Sequence, residues 1–132
     1  MLIETIPMWT DQRTMVNLRD VLARFQPNDW RWRVEEFEGV GRFPGGVTWA
    51  EFDGNIEAGT AVFDWDGIQQ FADGLVQMID GRIVATDVSG TIMATIEAFD
   101  SSEYEIAFNP VPGPLRLELT DLPMAGNGDG GS

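Results

Sequence analysis

The sequence predicts an α+β fold: one domain in which a mostly antiparallel sheet carries two amphipathic helices packed on it. Three observations lead to this reading. The 132 residues match the commonest size of a single domain and suffice to bury a core without disulfide or metal staples. Apolar residues make up 43% of the chain and charged residues 23%, ordinary values for a globular protein. Finally, the apolar spacing alternates between the helical and the strand period, in the order helix, strands, helix, strands. A parallel βαβ arrangement is the alternative, but only two good helices serve the candidate strands.

Taking the elements in order, residues 11–25 place Met15, Leu18, Val21, Leu22 and Phe25 on one helical face. Thr10 or Asp11 is placed to cap that helix, and Pro27 with Asn28 marks its end. Trp30, Trp32 and Val34 then alternate with Arg31, Arg33 and Glu35, so a strand is expected with the Trp pair inside and the Arg pair in solvent. Glycines and Pro44 between residues 39 and 46 break that pattern. Residues 47–52 and 60–63 suit short strands, with Asp53, Gly54 and Asn55 as the hairpin turn.

The clearest helix comes next. Ile68, Phe71, Leu75, Val76 and Ile79 share a face, Asp66 is placed as N-cap with Gln69 three residues on, and Gly81 suits the position beyond the C-cap. Three β-rich runs follow at residues 83–86, 91–99 and 103–108, joined by turns at 87–90 and 100–102. Pro110, Pro112 and Pro114 force an extended linker, and Leu115, Leu117 and Leu119 alternate with Arg116 and Glu118 as a last strand. The domain is thus expected over residues 1–122, with a flexible Gly-rich tail over 123–132.

The residue inventory removes most chemistries. The chain has no Cys and no His, and each of its eight bases is Arg. Thiol, imidazole and lysine catalysis are therefore excluded, as are zinc sites of the Cys and His types. Carboxylates remain, as acid and base pairs or as calcium ligands. The nearest match to a calcium loop begins at Asp53, Asn55 and Glu57, but Ala58 stands where Gly is needed and Asp64 where the bidentate Glu is needed. Asp64 and Asp66 precede the second helix, where acids suit the positive end of its dipole. Gly39, Val40 and Gly41 lack the spacing and the Lys of a phosphate loop. No catalytic activity, cofactor or metal is expected. The start of the chain carries Glu4 and no basic run, and no apolar stretch reaches the length of a membrane span, so a cytoplasmic location is expected.

Charge is the most unusual property. The net charge is −14 and the pI about 4.1. Six Arg and seven acids share residues 1–42, whereas residues 43–132 hold two Arg and fifteen acids. Such a field repels phosphate backbones and attracts basic partners.

The second helix, the turn at Asp80 and Gly81, two strands and the run Ala98, Phe99, Asp100, Ser101, Ser102, Glu103, Tyr104, Glu105, Ile106 together resemble small bacterial immunity proteins of polymorphic toxin systems. The resemblance spans residues 68–106, where a helix leads into a hairpin with a tight Asp-Ser-Ser turn and an acid-rich strand. It implies an inhibitor that occupies a basic toxin or nuclease. The surface expected to bind it comprises Asp53, Glu57, Asp64, Trp65, Asp66, Asp100, Glu103, Tyr104 and Glu105, with Trp49 nearby as a further aromatic anchor. An anti-defence protein that mimics nucleic acid, or a structural subunit of a phage or secretion assembly, are the alternatives.

Overall fold

Alternation of apolar and polar residues builds a six-stranded sheet in the computed structural model, which describes residues 2–10, 12, 14–100 and 102–108. Its strands are β1 (Leu2–Pro7), β2 (Arg31–Gly41), β3 (Val62–Phe63), β4 (Leu75–Thr86), β5 (Ile92–Phe99) and β6 (Glu103–Phe108). They lie in the order β1-β6-β5-β4-β2-β3, and every pairing is antiparallel. Three helices accompany them: α1 (Leu18–Leu22), α2 (Trp49–Ala58) and α3 (Trp65–Asp73). The fold is the α+β class that the sequence predicts.

Register explains how the core face is filled. Trp32 lies opposite Ala85, which lies opposite Ala94, so two small residues leave room beside the largest ring. One row further, Val34, Ile83, Ile96 and Ile106 stand side by side across four strands. Leu18, Val21 and Leu22 of α1 and Ile68, Phe71 and Ala72 of α3 are buried in the same core. Arg31 and Arg33 point the other way and are exposed, while Trp30 and Trp32 are buried, as the alternation predicts. Asn28 fixes this corner, because its side-chain oxygen accepts from Trp30 N–H at 3.2 Å and from Trp32 Nε1 at 3.1 Å.

The predicted elements need correction in four regions. β1 has no predicted counterpart; its side chains are mostly exposed at the sheet edge, leaving Ile6 alone buried, so the apolar alternation is faint. The first helix covers only Leu18–Leu22, with Asn17 at its N-cap in place of Thr10 or Asp11. Thr10 Oγ1 accepts from the N–H groups of Gln12 and Thr14, and Trp9 bridges to Met15, so local bonds compete with a helix at these residues. Phe25 is buried as expected, and Met15 is half-buried.

The largest departure is α2, which replaces the predicted strand over 47–52 and the hairpin turn at Asp53, Gly54 and Asn55. Thr48 and Glu51 form a capping box: Glu51 N–H donates to Thr48 Oγ1 at 3.2 Å and Thr48 N–H to Glu51 Oε1 at 2.9 Å. These bonds hold the exposed Glu51 carboxyl below its ordinary value. Trp49, Phe52 and Ile56 have helical spacing, and Gly59 ends the helix in the left-handed conformation at φ 75°. Start, face and stop signals together outweigh a single Asp-Gly pair. Gly54 then sits inside a helix with open space where a Cβ would go, so Gly54→Ala is expected to raise stability by about 0.5–1 kcal/mol in urea unfolding.

The second predicted helix is split. Its N-cap is Asp64, not Asp66, and Gly67 N–H donates to Asp64 Oδ1 at 2.7 Å. It stops at Asp73, and Leu75, Val76 and Ile79 belong to β4. Leu75 and Met78 are buried there, Ile79 half-buried and Val76 60% exposed, and two register shifts against β2, at Glu38/Gly39 and Val40/Gly41, interrupt the simple alternation of a strand. The break falls at Gly74, where a Cβ would stand 2.3 Å from the Arg42 carbonyl oxygen. Gly81 consequently lies within β4 rather than beyond a helix, and that strand is continuous with the predicted run at 83–86. The linker, the strand predicted at Leu115, Leu117 and Leu119, and the tail over 123–132 lie outside the described residues.

Candidate interaction surface

Pairing of the Arg residues leaves one part of the molecule strongly negative. Arg19 meets Asp73 at 3.7 Å, Arg24 meets Glu4 at 2.9 Å, and Arg82 meets Glu35 at 3.1 Å and Glu97 at 3.7 Å, while Arg33 also pairs with Glu35. No base occurs between Arg42 and Arg82, a stretch that carries Glu51, Asp53, Glu57, Asp64, Asp66, Asp73 and Asp80. It contains α2, β3 and α3. Glu51 and Asp64 are occupied as caps, whereas Asp53, Glu57 and Asp66 are exposed. Among the described residues no cation pairs with these three. Asp53 and Glu57 are four apart on α2, an arrangement of like charges that costs a helix about 0.2–0.5 kcal/mol.

Aromatic side chains border these acids. Trp49 is 41% exposed; it stacks on Phe37 with centroids 5.6 Å apart and meets the edge of Phe43 at 4.9 Å. Trp65 is half-buried against Trp32, with centroids 5.6 Å apart. Val62 of β3 is 41% exposed.

The remaining predicted site residues lie elsewhere. Asp100 is an exposed turn residue with φ 47°, and Glu103 and Glu105 are half-buried on the sheet face that no described helix covers. Glu105 stands directly opposite Glu97, again like against like. Three strands separate β6 from β3, a distance of about 19 Å at the usual strand spacing. The acids therefore fall into two groups, one on the segment from α2 to α3 and one at the β5–β6 hairpin.

Tyr104 is a correction. The sequence places it on the binding surface, yet it is 1% exposed, and its hydroxyl donates to the Val16 carbonyl at 3.0 Å. Burial, with Asp20 as a second cause, pushes the phenol up from its ordinary value. Strand parity is the reason: with Glu103 and Glu105 outward, Tyr104 and Ile106 face the core. Tyr104→Phe is expected to cost about 1–3 kcal/mol in urea unfolding, because it leaves the Val16 carbonyl without this donor.

Among the described residues, two depressions lie beside the helices. One, of about 290 Å³, is lined by Arg19, Leu22, Ala23, Gln69 and Asp73. The other, of about 120 Å³, lies among Phe43, Val47, Phe52, Asn55, Thr60, Ala61, Val62 and Phe63. Neither has two carboxylates in its wall. The calcium-loop residues Asp53, Asn55 and Glu57 lie on a helix, where successive members point about 200° apart. Among the described residues no group of three or more acids converges as a metal site, and no helix is long and apolar enough to cross a membrane. No protein-family profile, no curated protein and no solved structure matches this chain.

Proposed function

We propose that this chain is a non-enzymatic inhibitor of the immunity-protein kind, which neutralises a basic toxin or nuclease in the cytoplasm through its acidic surface. The observation that carries this reading is the stretch from Glu51 to Asp80, seven acids without a base, folded into one continuous run of elements beside the exposed Trp49. Asp53 and Glu57 repel one another in the free protein, a cost that a cationic partner reverses. The aromatic rim supplies the kind of anchor on which protein interfaces concentrate their energy. No catalytic, cofactor or metal role is assigned to any residue.

Capture from the source cell tests this. A tagged full-length chain at low salt is expected to retain a basic protein that is toxic when expressed alone and harmless when co-expressed with this chain. Recovery of only further copies of the chain would overturn the reading in favour of a structural subunit. Recovery of a non-toxic DNA-binding protein released by competitor DNA would do so in favour of nucleic-acid mimicry.

A further inference from the structure

The acidic edge contains a feature that charge alone does not explain. The depression of about 120 Å³ has walls built from Phe43, Val47, Phe52, Ala61, Val62 and Phe63, with Asn55 and Thr60 as its polar members. Its floor is a stack of rings: Phe43 and Phe52 lie with centroids 4.3 Å apart, and Phe71 is stacked on Phe52 at 5.4 Å. Thr60 is tied down, its N–H and hydroxyl both meeting the Asn55 carbonyl, at 2.9 and 3.2 Å. Small-molecule sites usually enclose about 300–1,000 Å³, so this volume is too small for a cofactor and fits one side chain.

We infer that this pocket receives a single apolar side chain from a basic polypeptide segment, Leu-sized and flanked by Arg or Lys. The inference rests on the proposed function and specifies how the partner is held. Charge complementarity chooses the occupant. Asp53 and Glu57 lie on the helix that supplies Phe52 and Asn55, and Asp64 follows directly on Phe63, with Asp66 two residues further. The nearest base by register, Arg33 opposite Val62, is already paired with Glu35. An apolar residue between two cations would seat its side chain among the rings and its charges against these acids. Phe43 joins the pocket to the exposed Trp49, extending the apolar strip along the same edge. Such a strip within a charged border is the arrangement of an interface centre and its rim.

The test uses NMR titration of the 15N-labelled full-length chain with capped tripeptides, comparing Arg-Leu-Arg with Arg-Gly-Arg and Glu-Leu-Glu. Arg-Leu-Arg is expected to shift the amides of Thr60, Ala61, Val62 and Phe63 saturably and to bind about tenfold more tightly than Arg-Gly-Arg. Filling the pocket by Ala61→Leu is expected to abolish that advantage. If this variant does not fold, the peptide comparison on the unaltered chain decides alone. Equal affinity for the Leu and Gly peptides would overturn the pocket while leaving a basic partner in place. Equal affinity for Arg-Leu-Arg and Glu-Leu-Glu would overturn the basic occupant, and with it the charge argument behind the proposed function.

Discussion

Phe71→Ala is expected to lower stability by about 3–5 kcal/mol, the largest loss among the substitutions considered. Phe71 is fully buried on α3, and its ring lies 5.4 Å from Phe37 of β2, 5.4 Å from Phe52 of α2, 5.5 Å from Phe63 of β3 and 6.2 Å from Phe43. One side chain thus joins α2, α3 and both edge-side strands. Rigid aromatic neighbours cannot easily collapse into the space that it leaves, so a cavity adds to the lost transfer energy. Because a domain of this size has only about 5–15 kcal/mol in total, the variant should unfold at markedly lower urea. A loss under about 1.5 kcal/mol would show that the ring cluster is loosely packed.

Gly81→Ala is expected to cost about 2–4 kcal/mol, for a backbone reason rather than a packing one. Gly81 has φ 153° within β4, opposite Phe37 and Ala98. An added Cβ would stand 2.5 Å from the Glu36 carbonyl oxygen, just where β2 carries its bulge between Val34 and Glu36. Relief requires that β2 and β4 move apart at the centre of the sheet. Gly54→Ala, with open space and no positive φ, is the control and should change stability in the opposite direction. Equal effects of the two changes in urea unfolding would contradict this account.

The same contrast shows what can be read from sequence. Trp30, Trp32 and Val34 were legible as a buried strand face because the period of two is strong and both Trp residues demand burial. The hairpin from β5 to β6 was equally plain. The segment from Gly74 to Gly81 was not, because Leu75, Val76 and Ile79 fit the helical face of Ile68 and Phe71 as well as they fit a strand. Pairing of β4 with β2, which begins where Arg42 N–H donates to the Gly74 carbonyl, separates the two readings, and that contact is tertiary. At α2 the capping box of Thr48 and Glu51 is local, but the β-branched and aromatic residues Val47, Thr48 and Trp49 favour the strand that the sequence predicts there. The acids of the candidate surface were found from composition, yet their division into two groups depends on strand order, which composition does not encode. The pocket between α2 and β3 depends on long-range packing and has no periodic signature.

The proposed capture of a basic protein by the edge from α2 to α3 is tested most directly by the association rate of the captured partner as salt is raised. Electrostatic steering predicts a steep fall in rate constant with ionic strength. Reversing Asp53, Glu57 and Asp66 to Lys together should lower the low-salt association rate by about tenfold or more while changing dissociation less. The same reversal at Glu103 and Glu105, in the far group, should have the smaller effect. An association rate that does not respond to salt or to the triple reversal would contradict the account.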